Sequence, residues 1–347
     1  SIWIVNNPYS EGNVQTIITQ GRVYNYSHTI GTATPAGIGF SHVHDIARGD
    51  GQLLYVLSRG YDFVASDRVT VVTMDEEYIG DFGKTGDQDG EFIWPSGIDV
   101  DSNGNVYVLD EWLNRVTIYD KDGTFLSKWG TSGTNSGELN GPAGLVIDGE
   151  DNIYISENLN HRVQKFTKDG KPLLKWGSQG INHGEFDRPW GITLDGNGNV
   201  YVADWYNDRV EKFSPDGQYI STFCTSGSNP GEVHLPSDVA VDSDGEVYVS
   251  DWWNNKVEVY DSQGVHLTTF LGDAERLSKW AQEMIDSNPD MAKARMRVKS
   301  LEPEWRFARP TAIVIDADKN ILISESQRSR IQVYKKETNW VEPDYNI

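Results

Sequence analysis

Pro95-Ser-Gly-Ile-Asp-Val-Asp101 returns as Pro142-Ala-Gly-Leu-Val-Ile-Asp148, as Pro189-Trp-Gly-Ile-Thr-Leu-Asp195 and as Pro236-Ser-Asp-Val-Ala-Val-Asp242, each copy starting 47 residues after the one before. A fifth copy, Pro310-Thr-Ala-Ile-Val-Ile-Asp316, follows only after 74 residues. Self-similarity at such a period marks a solenoid, a propeller or an array. Reading outward from the first copy, Ile98-Asp-Val100 is a short strand a, and Asp101-Ser-Asn-Gly104 has the residues of a tight turn. Asn105-Val-Tyr-Val-Leu109 alternates as a half-buried strand b. Arg115-Val-Thr-Ile-Tyr119 and Phe125-Leu-Ser-Lys-Trp129 follow as strands c and d. Four antiparallel strands joined by short turns make one propeller blade.

Six such units predict an all-β, six-bladed β-propeller. The first is degenerate: Val43-His-Asp-Ile46 aligns with Pro95-Ser-Gly-Ile98, and Leu54-Tyr-Val-Leu57 with Val106-Tyr-Val-Leu109. The last has strands a to c, ending at Gln332-Val-Tyr334, and no clear d. A spare strand, Val23–Ile30, ends in Gly31 as other d strands end in Gly130 or Gly177. It is expected to close the ring as the outer strand of blade six, removing the free edges of an open sheet. The whole chain, 1–347, then reads as one domain with a helical lid inserted at 273–304, between blades five and six.

Composition narrows the partners. The 52 Asp and Glu outnumber the 30 Lys and Arg, giving a net charge of −22. So acidic a chain repels phosphate backbones, which argues against nucleic acid. No apolar run approaches the length of a membrane helix, so no membrane segment is expected. Cys224 is the one cysteine, which excludes an intramolecular disulfide and is compatible with a reducing compartment. No signal peptide is visible, and a leader already removed would leave no mark; the expectation is a soluble protein, cytoplasmic or secreted.

An acid, four residues, then a base recurs at the b–c turn: Asp110/Arg115, Glu157/Arg162, Asp204/Arg209, Asp251/Lys256 and Glu325/Arg330. With Gly90-Glu-Phe and Gly184-Glu-Phe leading into the proline sites, the chain resembles the NHL-repeat family of six-bladed propellers over residues 22 to 335. The resemblance implies the fold and leaves the function open, because propellers host many. One branch, the lyase that cleaves peptidyl-hydroxyglycine to an amide and glyoxylate, holds zinc on three histidines, each just after the proline-type position. Here that position reads His44, Ser96, Ala143, Trp190, Ser237 and Thr311, so the zinc site is not retained.

Residues common to every unit hold the unit together; the function is sought in what differs. The acid–base pairs therefore read as scaffold, and the Asp-x-Asn-Gly runs as turns, since they lack the remaining ligands of a calcium loop. Three departures fall on d–a and b–c connections, which emerge on one face around the mouth of the channel: Thr32 to Ser41, Arg59 to Ala65, and the long stretch between Gly272 and Pro310. In the last, Leu277, Trp280, Ala281, Met284 and Ile285 have helical spacing, and Asn288-Pro-Asp290 divides it into two helices.

At the mouth, His44 and Asp45 are the candidate catalytic pair, since a histidine beside a carboxylate serves as general base or metal ligand. His44, His234 and Asp238 are candidate ligands for a divalent metal, calcium or zinc. Arg59, Arg188 and Arg309 suit an anion through their bidentate guanidinium groups. Tyr61, Trp112, Trp190, Trp205 and Trp252 are expected to form apolar walls, completing a substrate site. The reading is a lyase or hydrolase of a small anionic molecule; the alternative is a non-catalytic scaffold that presents the same face to a protein, a sugar or a peptide. A closed lid over a deep pocket favours the first, an open aromatic face the second.

Overall fold

The computed structural model describes residues 3–6, 15–60 and 65–337. Six antiparallel sheets surround a central channel. Blade two shows the pattern, with Pro95–Val100, Val106–Asp110, Arg115–Tyr119 and Phe125–Trp129 in spatial order from the axis outward. The expected closure is present: Arg22–Ile30 pairs antiparallel with Arg330–Lys336, in register Ile331 to Ile30 and Lys336 to Tyr24. Two strands beyond the expectation, Gln15–Thr19 and Trp3–Asn6, extend this blade outward to six.

The repeated charges are scaffold. Arg162 Nε donates to Glu157 Oε1 at 2.7 Å, while its terminal nitrogens donate to the carbonyls of Thr134, Asn135 and Glu138 in the preceding d–a loop. Arg209 repeats this with Asp204 and the carbonyls of Ile181, Asn182 and Glu185. Each base thus ties a b–c turn to a loop between blades. The Asp-x-Asn-Gly runs are turns: Asp101 Oδ1 accepts from the amides of Asn103 and Asn105.

The insertion forms three helices, α1 (Lys279–Asp286), α2 (Pro289–Met296) and α3 (Glu302–Trp305). Ser278 caps α1 by accepting from Ala281 N, and Asn288 caps α2 with Pro289 in its first turn, so the division at 288–290 is as expected. The position differs from a lid. Arg276 donates to Ser27 O on the outer strand of blade six, Lys279 N bonds Glu76, and Lys279 Nζ pairs with Glu77 in the c–d turn of blade one. These contacts place α1 as a buttress at the outer margin between blades six and one.

The physical reason is a missing ring. The fifth residue of strand c is a buried aromatic in five blades, Tyr119, Phe166, Phe213, Tyr260 and Tyr334, and is Val72 in blade one. Trp280 fills that gap. It packs edge-on against Phe40 at 5.7 Å, as Tyr119 packs against Phe92 at 5.9 Å. Nearby Glu76 occupies the left-handed turn position (φ 61) that Gly123, Gly170, Gly217 and Gly264 hold elsewhere. Its buried carboxylate accepts from Gly31 N and Lys279 N, joining ring closure to the start of α1.

Candidate functional site

The start of each strand a and the first residue after each strand b converge at the mouth. His44 of blade one and Trp190 of blade four come from opposite sides of the ring and stack across the axis, 5.7 Å apart with planes 16° from parallel. They form the floor of the mouth and the upper lining of a channel of about 290 Å³. Above them lies a ring of one residue per blade: Arg59, Glu111, Asn158, Trp205, Trp252 and Ser326, each directly following strand b. The ring is divided. On one side Arg59 Nη1 donates to Glu111 Oε2 at 3.2 Å, and Asn158 Nδ2 donates to Glu111 Oε1 at 3.1 Å. On the other, Trp190, Trp205 and Trp252 form a run of ring contacts at 4.6 and 5.3 Å, continued by Trp253 at 6.2 Å.

Two cations border these surfaces. The Arg309 guanidinium lies 3.8 Å from the Trp252 ring centroid and 4.9 Å from that of Trp253, and its Nη1 donates to Trp252 O. Arg59 lies 4.8 Å over Trp94, which meets Trp112 edge-on at 5.0 Å, and its Nη1 faces His44 Nε2 at 3.4 Å. A guanidinium on an aromatic face is favourable and keeps free edges for an anion.

The expected catalytic pair is not assembled. Asp45 accepts from Ile46 N and, through Oδ2, from Ile98 N on the inner strand of blade two. Asp99 bonds Ile147 N of blade three, and Asp238 bonds Ile313 N of blade six, in the same manner. These carboxylates are struts between inner strands too far splayed to pair directly. Burial raises Asp99 to about 6 and Asp238 to about 7, and raises Asp45 well above the carboxylate range, with the charge of Asp238 adding to it. Burial, then the Arg59 charge, lowers His44 to about 3, so its imidazole is neutral at pH 7 and a weak base.

The expected metal set is also separated. His234 Nδ1 lies 3.1 Å from both carboxylate oxygens of Asp208 and meets Trp253 edge-on, on the rim, while Asp238 is a strut in the channel. Among the described residues, no three His, Cys, Asp or Glu side chains converge to hold a metal. Arg188 stands over Tyr206 at 5.0 Å, outside the run of tryptophans. Tyr61 lies outside the described residues.

The structure therefore brings together Arg59, His44, Trp190, Trp205, Trp252 and Arg309, with Trp112 behind Trp94. Comparing the blades in sequence places Glu111, Asn158, Trp94 and Trp253 at lining positions of the mouth but gives them no role in the site. Their signal was the register: Arg59 occupies the same ring position as Glu111, which the extra residues of the blade-one turn obscured.

The NHL repeat model matches residues 92–119, 139–166, 186–213 and 234–260, in blades two to five. No curated protein sequence matches the chain. Among solved structures, the chain is similar to virginiamycin B lyase from Staphylococcus aureus, solved as a catalytically inactive variant with quinupristin, at 13% identity and a TM-score of 0.56, over 96% of this chain and 99% of that one. It is similar to a gluconolactonase from Xanthomonas campestris at 15% identity and a TM-score of 0.58, over 97% and 95%. A third similarity, to a chain of the nidogen/laminin complex, has 17% identity and a TM-score of 0.50, over 74% and 92%. Identities this low establish the shared fold. No helix among the described residues is long and apolar enough to cross a membrane.

Proposed function

We propose that this chain, a six-bladed β-propeller carrying NHL repeats, uses its mouth to bind a small anionic molecule that carries a flat apolar ring. The observation that carries the reading is the division of the mouth into a polar half (Arg59, Glu111, Asn158) and an aromatic half (Trp205, Trp252) above the His44–Trp190 floor. The ligand ring stacks on the tryptophans, and its anionic group reaches Arg309 or Arg59. A concave site with apolar walls and a few converging polar groups is the usual form of a small-molecule site.

The test is calorimetric titration with aromatic carboxylates, benzoate and indole-3-acetate first, and with phenol and indole as uncharged controls. The carboxylates should bind more tightly than the controls. Trp252→Ala and Arg309→Ala should each weaken binding by about tenfold or more, since an aromatic contact and a charge-assisted hydrogen bond are each worth on the order of 1–2 kcal/mol. Equal binding of charged and uncharged rings, or of wild type and both variants, would overturn the reading.

A second reading, a lyase or hydrolase working at the same mouth, is favoured by one observation. The neutral imidazole of His44, the Arg59 guanidinium and the Glu111 carboxylate meet within 3.4 Å at the edge of the aromatic surface. In that reading Arg59 stabilises developing negative charge and Glu111 handles the proton. Turnover of a lactone or ester of a binding acid, lost in Glu111→Gln while binding persists, is its expected signature. Binding without turnover across such a panel leaves the scaffold reading.

A further inference from the structure

Helix α2 lies on the surface of the molecule. None of its residues is buried. Eight residues of isolated helix do not hold their fold in water, because nucleation costs more than so few hydrogen bonds return. Its apolar side chains face outward: Met296 is 79% exposed and Val298, just beyond the helix, 52%. Between α1, α2 and α3 lies an apolar groove of about 420 Å³, lined by Ile285, Met291, Ala294, Val298, Leu301 and Pro303.

Its charge is unlike the rest. Lys293, Arg295, Arg297 and Lys299 alternate along the segment, and no acid lies between Asp290 and Glu302, in a chain whose net charge is −22. Arg295 is engaged by Glu304 and lies over Trp305. Lys293 pairs with the exposed Asp290, at 3.4 Å. Arg297 and Lys299 make no ion pair among the described residues.

We infer that this helical insertion is a docking surface for a short acidic segment of another protein, with an apolar side chain in the groove and carboxylates on Lys293, Arg297 and Lys299. Exposed methionines suit such a surface, since their flexible side chains adapt to an incoming chain. Charge complementarity selects the class. A bilayer or a nucleic acid duplex presents phosphate over an extended face, so docking it also brings phosphates within a Debye length, about 8 Å, of the acidic body, which repels them. A short acidic segment meets the basic patch alone.

The experiment uses the full chain and a fluorescein-labelled peptide of Asp, Glu and Leu, about twelve residues long, read by anisotropy, with a Lys-for-acid counterpart and phosphatidylserine vesicles as comparison arms. The acidic peptide should bind at least about tenfold more tightly than the basic one, and less tightly as salt rises. The triple variant Lys293→Glu, Arg297→Glu, Lys299→Glu should lose about tenfold or more in affinity, and Met291→Ser with Val298→Ser should weaken binding with charge intact. Because no residue of α2 is buried, both variants should melt with the wild type. Trp252→Ala at the mouth should leave peptide binding unchanged, which keeps this test apart from that of the mouth. Equal binding of the two peptides, full affinity in the charge-reversed variant, or binding to vesicles in place of the acidic peptide would overturn the proposal.

Discussion

Asp238 and His44 pull the pH dependence of the fold in opposite directions. Asp238 is raised from 3.8 to about 7, so the folded chain keeps a proton that the unfolded chain has lost, and stability falls as pH rises from about 4 to about 7. His44 is lowered from 6.5 to about 3, so the unfolded chain takes a proton the folded one refuses, and stability rises across about pH 3 to 6.5. Asp238→Asn removes the first contribution. Its melting temperature should gain on wild type between pH 5 and pH 8; a constant difference across that range would show that Asp238 does not titrate with folding. These roles were hidden in the sequence. A carboxylate after a histidine reads as catalytic, and a strut becomes visible only once the inner strands are seen to splay. Likewise His44 and Trp190 lie in separate repeats, and only the closed ring makes them neighbours.

At the scale of the element, the helical insertion is held by one side chain above all. Trp280→Ala should cost about 3 kcal/mol in urea unfolding, the usual range for truncating a buried aromatic ring. Adding Val72→Tyr, which restores the aromatic type found at the fifth position of strand c in the other blades, should recover part of that loss. A double variant no more stable than Trp280→Ala would show that the tryptophan is not filling the place of the missing ring. The division between the first two helices was legible because capping is local: Asn288 and Pro289 mark the boundary found. Placement was not, because it depends on a vacancy in another blade. The clue was Val72 in a column otherwise occupied by Tyr and Phe.

For the whole molecule, ring closure rests on charge as well as on the strand register. Lys336 Nζ lies 2.6 Å from Asp242, 2.8 Å from Asp244 and 2.9 Å from Glu246, joining blade six to blade five, while Tyr24 of the closing strand donates to Glu246 at 2.7 Å. Lys336→Met leaves the buried Asp242 without its cation, while Glu246 keeps Arg22 and Asp244 keeps Lys319, and should cost about 3 kcal/mol at pH 8. Glu246 is held below its ordinary value, by its hydrogen bonds and the Lys336 charge against the opposing effect of burial, and Asp244 sits at about 2. Their contribution is therefore present above about pH 4 and lost on acidification, and the deficit of the variant should shrink below that pH. A deficit independent of pH would assign the loss to packing. The closing strand itself was legible, since Gly31 ends it as Gly130 and Gly177 end theirs.

The ring above the floor has a consequence for how this protein could acquire a new ligand. In chain order it spells a six-letter word, Arg59, Glu111, Asn158, Trp205, Trp252, Ser326, with one letter per blade and no letter drawn from the acid–base column that ties each b–c turn to the loop before it. Spelling and folding are thus written in different columns of the same repeat. The vocabulary of the mouth can be rewritten one blade at a time, and because two adjacent letters are aromatic and the other four polar, its order also sets which way round a flat molecule lies.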